Sequence, residues 1–293
     1  MTLSVVLVNY NDRNHVLECL SSIEKTAGSL DYEIIVVDNN SQDGSPAEIV
    51  RRFPRIKLVS NSRNVGFAKA NNQGWLGSRG EFILFLNTDT VVEPGALSQL
   101  LGELKSNLEA GAVGPALFSG VRSYQVSFGR RVSFCSQLWQ KSVLNPFHKI
   151  ALRTSRRKRK VGWLSAACLL IRRDALQRAE GFDENFFIYF EDIDLCLRIR
   201  QAGSKLVYLP QARVLHWGGA STSVDLAASK YEYRKSQVYF YRKHNSKAAQ
   251  SLLRLYLKLN VQILAWRGCF RGESGKRLRE QYAWLLKSRA GVL

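Results

Sequence analysis

The chain has 293 residues, 45% of them hydrophobic and 23% charged, enough for one large α/β domain with an appendage. A formal net charge of +19 and a pI near 10.0 imply an anionic partner: a nucleotide, nucleic acid or an acidic membrane surface. No uncharged apolar run of 18 residues occurs, which excludes a conventional spanning helix, and the Met1–Val5 start lacks a basic leader, so no signal peptide is expected.

In chain order, Leu3 to Val8 is a short apolar run rich in valine and reads as a buried parallel strand. Asn9-Tyr10-Asn11-Asp12 ends it, and Asn11 or Asp12 is placed to cap a helix running to about Lys25. Glu33 to Val37 is a second strand, closed by the polar turn Asp38 to Ser45. A helix to about Phe53 follows, with Pro46 in its first turn. Ile56 to Val59 is a third strand, Gly66 to Gly77 a small-residue helix, and Phe82 to Leu86 a fourth strand ending in Asn87-Thr88-Asp89-Thr90. Glu93 to Asn107 reads as a helix and Ala112 to Pro115 as a short strand. The alternation predicts a doubly wound, mainly parallel sheet covered on both faces. Ligands bind such sheets outside the carboxyl ends of the strands, where Asn9, Asp38 and Asn87 to Asp89 all fall. Capping and turn chemistry explains each polar cluster singly.

Beyond Ser119 the pattern weakens. Tyr124 to Phe128 reads as a strand and Val132 to Leu144 as an amphipathic helix. Arg156-Arg157-Lys158-Arg159-Lys160 is a run of five cations, either a solvated loop or a face toward phosphates. Val161 to Ile171 returns to buried, small-residue structure, Asp174 is placed to cap a short helix, and Lys205 to Pro210 is a strand leading to Val214-Leu215-His216-Trp217. Five widely spaced cysteines, Cys19, Cys135, Cys168, Cys196 and Cys269, form no CxxC or zinc pattern and read as reduced thiols of a cytosolic protein. Residues 230–293 carry fifteen Lys/Arg against three Asp/Glu. Within them, Leu252 to Trp266 is apolar except for a stripe at Arg254, Lys258 and Gln262, which suits an interfacial membrane helix or a helix packed on the main domain.

The segment Gly181 to Cys196 concentrates the chemistry. Five aromatic residues, Phe182, Phe186, Phe187, Tyr189 and Phe190, precede three carboxylates, Glu191, Asp192 and Asp194. Carboxylates behind an aromatic run are partly desolvated, which raises the pKa and suits a general base. Acids also favour the first turn of a helix, here about Asp192 to Ala202, with Gly203 as its stop.

The motifs together resemble glycosyltransferase family 2. Val36 to Ser45 is similar to the family's nucleotide-binding turn, Asn64-Val65-Gly66-Phe67 to Gly74 to its next motif, Asn87-Thr88-Asp89 to its DxD site, Glu191-Asp192 to its ED motif, and His216 to a late metal-ligating histidine. The resemblance covers about residues 1–220 and is nearest to rhamnosyltransferase-type members of bacterial surface-polysaccharide assembly. It implies a GT-A fold, a nucleotide-diphosphate sugar donor (dTDP-rhamnose first, a UDP-sugar next) and inverting single displacement. Asp192 is then the base with Glu191 beside it, and Asn9, Asn11, Asp38, Asn40, Arg63, Asn64, Gly66, Asn87 and Thr88 line the nucleotide. Asp89 and His216 hold Mg2+ or Mn2+. Asn87 stands where the first acid of DxD is expected and brings no charge. The implied acceptor is a glycan or a polyprenyl-diphosphate-linked sugar. The expected organisation is a GT-A domain over 1–225, divided at 115, and a basic helical extension over 226–293, on the cytoplasmic face of an anionic membrane.

Two other classes compete. A basic nucleic-acid-binding protein accounts for the charge, but no nucleic-acid module is present and the charge gathers in the tail, so no nucleic acid is expected. A dinucleotide oxidoreductase needs GxGxxG after the first strand, where Asn9-Tyr10-Asn11-Asp12 stands instead. A catalytically inactive glycosyltransferase-like scaffold is the third alternative, because of Asn87.

Overall fold

The structure is a computed structural model that describes residues 1–119, 123–130, 156–218 and 226–266. The expected helix at Val132 to Leu144, Cys135 and Cys269 lie outside these residues. The chain begins as the apolar runs dictate: β1 (Leu3–Asn9), α1 (Arg13–Ala27), β2 (Tyr32–Asp38), α2 (Ser45–Arg52), β3 (Lys57–Ser60), α3 (Phe67–Leu76) and β4 (Phe82–Leu86). Val16, Leu20, Ile23 and Ala27 recur at helical spacing, and α1 buries this stripe. On α3, a Cβ at Gly74 would stand 2.3 Å from a Val6 methyl, so the missing side chain lets the helix lie close on β1.

Next come β5 (Thr90–Val92), α4 (Ala96–Ser106), β6 (Ala110–Ser119), β7 (Ser123–Tyr124), β8 (Phe128–Gly129), β9 (Arg159–Val161), β10 (Trp163–Leu164) and β11 (Cys168–Arg172). Then α5 (Arg173–Arg178), α6 (Glu191–Gln201), β12 (Lys205–His216), α7 (Leu226–His244) and α8 (Lys247–Trp266) complete the described elements. Asp174 sits inside the first turn of α5 and pairs with Arg178 rather than capping the helix.

The main sheet is mixed, with order β3-β2-β1-β4-β11-β6-β12-β5. The half expected to be parallel is parallel: β2 pairs β3 and β1, and β1 pairs β4. β11 runs antiparallel to both β4 and β6. Its cause is the entry point. The Asn87 N–H donates to the Ala167 carbonyl at 3.0 Å, so the chain reaches β11 at the carboxyl edge of β4 without a crossover helix and must run back. β12 is one long strand, parallel to β6, with a register shift between Leu209 and Arg213.

Two apolar layers cover the sheet. One joins α1, α2 and α4 to it; the other joins α3, α5, α6 and the buried faces of α7 and α8, including Phe240, Tyr241, Leu253 and Leu257. The C-terminal helices are therefore packed on the main body. Leu252, Leu255 and Leu259 form the opposite ridge of α8 and are 48%, 53% and 49% exposed. Among the described residues no helix is long and apolar enough to cross a membrane.

Candidate active site

The carboxyl ends of β1 and β2 are tied together by side chains. Asn9 Nδ2 donates to Asp38 Oδ1 at 2.7 Å and to Ser45 Oγ at 2.7 Å, and the Ser41 N–H donates to Asp38 Oδ2 at 2.9 Å. Asp38 is 2% exposed and spends a lone pair of each oxygen on this turn, so it shapes the turn as well as facing the edge. Asn11 Oδ1 accepts the Gln42 N–H at 2.7 Å, which locks the loop after β1 onto the loop after β2. Asn11 and Asn40 both have positive φ, 50° and 67°, a conformation asparagine tolerates. Asn64 Oδ1 accepts the Gly66 N–H at 2.9 Å. Arg63 is exposed on the loop after β3 and has no hydrogen bond or ion pair among the described residues; the structure does not draw it into the cluster.

Gly66 has a second role that the motif did not disclose. Its φ is +89°, and a Cβ there would stand 2.7 Å from the Phe187 carbonyl oxygen. The next N–H, of Phe67, donates to that oxygen at 2.7 Å. The nucleotide-side loop is thereby sewn to the segment that leads into Glu191 and Asp192.

The second cluster forms where β4 ends. The antiparallel register of β12 on β5 sets His216 beside Thr90, hence beside Asp89. His216 Nε2 lies 3.3 Å from Asp89 Oδ1 and 3.5 Å from Asn87 Nδ2. Nδ1 lies 2.7 Å from Gln125 Oε1, an acceptor only, while Gln125 Nε2 donates to the His216 carbonyl at 2.8 Å. Gln125 Oε1 therefore accepts a hydrogen bond from Nδ1, which aims Nε2 at the Asp89 carboxylate. Burial alone would push Asp89 up; the hydrogen bond and charge of His216 outweigh it and hold the carboxyl below its ordinary value. Asn87 Oδ1 is buried with no partner. A carboxylate, an imidazole lone pair and an orphaned amide oxygen at one point are a donor set that fits a hard divalent cation. Among the described residues no group of three or more His, Cys, Asp or Glu is arranged to hold a metal ion, so the set depends on Asn87 and on oxygens from a ligand.

Thr88 turns inward and donates to Asp12 Oδ2 at 2.9 Å; Asp12 also receives His15 at 2.5 Å. Asp12 opens α1 without a side-chain cap bond and instead braces the Asn87–Asp89 loop.

The third cluster opens α6. Tyr189 and Phe190 have φ of 71° and 68°, two successive non-glycine residues in the left-handed region immediately before Glu191. Such strain persists only where packing enforces it. Phe190 is held by Tyr233 at 5.3 Å and Phe240 at 5.5 Å between ring centroids. Glu191 is 6% exposed and its Oε2 has no partner. Burial, then the charge of Asp192, push it well above the usual carboxylate range. Asp192 is half-buried; its Oδ2 accepts the Ala166 N–H at 3.2 Å and its Oδ1 the Ile193 N–H at 2.8 Å. Burial raises its pKa, and these two N–H groups oppose the rise. The Ser165–Ala167 turn is the spacer between the clusters: Ala166 binds Asp192 while Ala167 accepts from Asn87.

Asp194 does something else. It is fully buried and receives Arg198 at 2.7 Å, Lys243 at 2.8 Å and His244 at 2.6 Å. Lys243 also reaches Asp183 at 2.6 Å, and Tyr239 donates to Asp183 at 2.9 Å. The third acid of the motif is thus a latch between α6 and α7. Asp12, Gln125, Asp183 and His244 are the site-supporting residues that sequence reasoning missed. Only Asp12 carried a local signal, within the polar cluster after β1.

Comparison with known proteins agrees with this arrangement. Residues 4–179 match the family described as Glycosyl transferase family 2. The chain is 33% identical over 280 residues to an N-acetylglucosaminyl-diphospho-decaprenol L-rhamnosyltransferase of Mycobacterium tuberculosis, covering 89% of this chain and 91% of that one. It is 26% identical over 229 residues to rhamnosyltransferase WbbL of Escherichia coli, covering 73% and 82%. In fold it is similar to a mannosyltransferase from Pyrobaculum calidifontis solved with GDP-Man and Mn2+, with TM-score 0.59, 15% identity and coverage of 97% and 84%. GalNAc-T7, solved with UDP, GalNAc and Mn2+, matches at TM-score 0.59 and 21% identity over 82% of this chain and 50% of that one. The chain has the GT-A type of α/β fold and belongs to glycosyl transferase family 2, as a glycosyltransferase similar to rhamnosyltransferases.

Proposed function

We propose that the chain moves a sugar, with inversion, from a nucleoside-diphosphate donor to a polyprenyl-diphosphate-linked glycan in surface-polysaccharide assembly. dTDP-rhamnose is the first choice of donor and a UDP-sugar the second. Both the rhamnosyl choice and the acceptor are supported by the 33% identical relative, an N-acetylglucosaminyl-diphospho-decaprenol L-rhamnosyltransferase.

The observation that carries the reading is the placement of a buried Glu191 and an adjacent Asp192 against the Ser165–Ala167 turn, which binds Asp192 through the Ala166 N–H and Asn87 through the Ala167 carbonyl. Asp192 takes the proton of the acceptor hydroxyl as its oxygen forms a bond to the anomeric carbon. The bond from that carbon to the diphosphate oxygen breaks in the same step, and the nucleoside diphosphate leaves with the electron pair. Its charge grows on the side of Asp89, His216 and Asn87, where bound Mg2+ or Mn2+ would neutralise it. Asn9, Asn11, Asp38, Asn40, Asn64 and Gly66 set the shape of the nucleotide edge, with Thr88 buttressing it from Asp12. Arg63 is the peripheral member, on a free side chain over that edge.

Residues 1–225 form the transferase unit in this reading, with 226–293 as the basic extension. The exposed Leu252, Leu255 and Leu259, beside exposed Lys247, Arg254 and Lys258, are proposed to rest on the anionic inner face of the cytoplasmic membrane.

The test combines titration and transfer. Calorimetry with dTDP and with UDP, each with and without manganese, is expected to give metal-dependent binding of one nucleotide. Asp192→Asn is expected to keep that binding and lower transfer by about 10²–10⁴-fold. Retained transfer in the variant removes Asp192 as base; no nucleotide binding at all returns the inactive-scaffold reading.

A further inference from the structure

A cavity of about 470 Å³ lies at the opposite edge of the sheet from the nucleotide. It is lined by Arg130, Lys160, Gly162, Arg200, Gly203 and Lys205, among others. The topology fixes its position. β12 runs in the same direction as β6 and, through the antiparallel β11, as β4; its first residue, Lys205, is thus at the amino edge and its last, His216, at the carboxyl edge. α6 spans the same distance, with Asp192 in its first turn and Arg200 in its last. Eleven residues of helix put roughly 16 Å between the two ends.

Four cations meet at this cavity. Lys205 and Lys160 share one carboxylate, Glu109, at 2.5 Å and 3.5 Å. Arg200 complements the carboxyl end of α6, and Arg130 has no ion pair or hydrogen bond; both are exposed and without an acidic partner among the described residues. The polybasic stretch Arg156 to Lys160 runs into β9, whose Lys160 and Val161 line the cavity. One acid therefore faces four bases around a concavity large enough for a small ligand. The structural roles of Lys160, Lys205 and Arg200 leave Arg130, and most of the positive charge, unexplained.

The surroundings indicate which anion. A second, adjoining crevice shares Gly162 and Arg200 with the cavity and reaches His244 and Asn245, the elbow between α7 and α8. From there α8 returns along α7 toward the catalytic edge: the Arg234 guanidinium lies 5.8 Å from the Tyr256 ring and 5.5 Å from that of Tyr233, which packs on Tyr189 and Phe190. The exposed leucines of α8 thus run from the neighbourhood of the cavity to that of the base. We propose that the cavity is a phosphate-binding site that takes the phosphodiester headgroup of an anionic lipid. It fixes the elbow end of α8 at the membrane while the leucine ridge lies along it. The lipid source rests on the membrane reading above; the phosphate chemistry does not.

The test uses the full chain and the double variant Arg130→Gln/Arg200→Gln, both residues exposed and outside the catalytic clusters. Binding to phosphatidylglycerol/phosphatidylcholine vesicles is compared with binding to phosphatidylcholine alone, and glycerol 3-phosphate is titrated in solution. The expected result is preference for the anionic vesicles, reduced about 30-fold in the double variant, the effect of two interfacial cations. It should also be salt-sensitive. Unchanged vesicle binding with loss of glycerol 3-phosphate binding assigns the site to a soluble phosphate ester instead. Both bindings within twofold of the parent, or neither detectable in the parent, overturns the proposal. Manganese-dependent nucleotide titration of the same samples reports the catalytic edge separately, so failure there with intact vesicle preference counts against the transferase reading alone.

Discussion

Asp194→Asn isolates the latch between the base helix and the C-terminal helices. The carboxylate is fully buried, and Arg198, Lys243 and His244, which surround it, are 18%, 27% and 11% exposed. Removing one partner of a buried ion pair costs about 3–5 kcal/mol, because the remaining charge stays buried. Asparagine keeps one acceptor oxygen, and Lys243 can lean further on Asp183, so the cost falls at or just below the bottom of that range, about 2–3 kcal/mol. For a domain of this size that is a fall in Tm of roughly 5–10 °C.

Thermal melting by circular dichroism measures it, and hydrogen exchange locates it: amides of α7 should lose protection before those of β1 and β4. The pH dependence gives a second readout. Burial alone would push Asp194 up; the His244 hydrogen bond, then Arg198 and Lys243, outweigh it and hold the carboxyl below 3.8. A depressed carboxyl contributes stability that is present above its unfolded pKa and is lost as pH falls through the folded one. The gap between parent and variant should therefore be full at neutral pH and close below about pH 4. A variant that melts within about 1 °C of the parent at pH 7, far inside the expected shift, would falsify the latch.

Two further substitutions probe the catalytic edge. Gln125→Leu frees the His216 ring and should weaken manganese affinity, measured by calorimetry with nucleotide present, by about 10–100-fold, the usual effect of losing an outer-shell partner; an unchanged affinity means His216 is not a ligand. Glu191→Gln replaces a buried acid, whose pKa burial pushes well above the usual carboxylate range, with a neutral isostere, so transfer should stay within a few-fold of the parent while Asp192→Asn loses about 10²–10⁴-fold. Loss of transfer in Glu191→Gln comparable to that in Asp192→Asn would exchange their roles.

The parallel half of the sheet was legible because each strand there is an unbroken apolar run closed by a polar turn, and local pattern suffices for such elements. β11 carries the same kind of run, Cys168 to Arg172, but its direction depends on where the preceding turn meets Asn87, a long-range contact with no local trace. Asp89 and His216 could be paired from motif order. Gln125, which orients the ring, lies in an unremarkable stretch and is recruited by the register of β6, β7 and β12. Gly66 is similar: its motif suggests a nucleotide loop, whereas the approach of Phe187 that excludes a side chain is visible only in three dimensions. The apolar stripe of α8, read as suiting either a membrane interface or the main domain, is two-sided. Leu253 and Leu257 are buried against the body while Leu252, Leu255 and Leu259 face out, so truncating the helix would uncover the core as well as remove the ridge.

The first turn of α6 shows why three neighbouring acids do not share one task. Glu191 is buried with Oε2 unpartnered, and burial, then the charge of Asp192, push its carboxyl well above the usual range. Asp192 has two backbone donors and partial access to solvent; burial raises its pKa and those donors oppose the rise, a balance that suits the base proposed above. Asp194, two residues on, turns into a ring of cations and stays ionised through pairing. Environment separates the three, and the environments come from different parts of the chain: the left-handed Tyr189–Phe190 step aims Glu191 inward, the Ser165–Ala167 turn supplies Asp192's donor, and α7 supplies Asp194's cations. Loosening α7 should thus disturb the first turn of α6 through Phe190 and Tyr233, and through the cations around Asp194. The C-terminal helices are in this way packed against the residues that shape the proposed base.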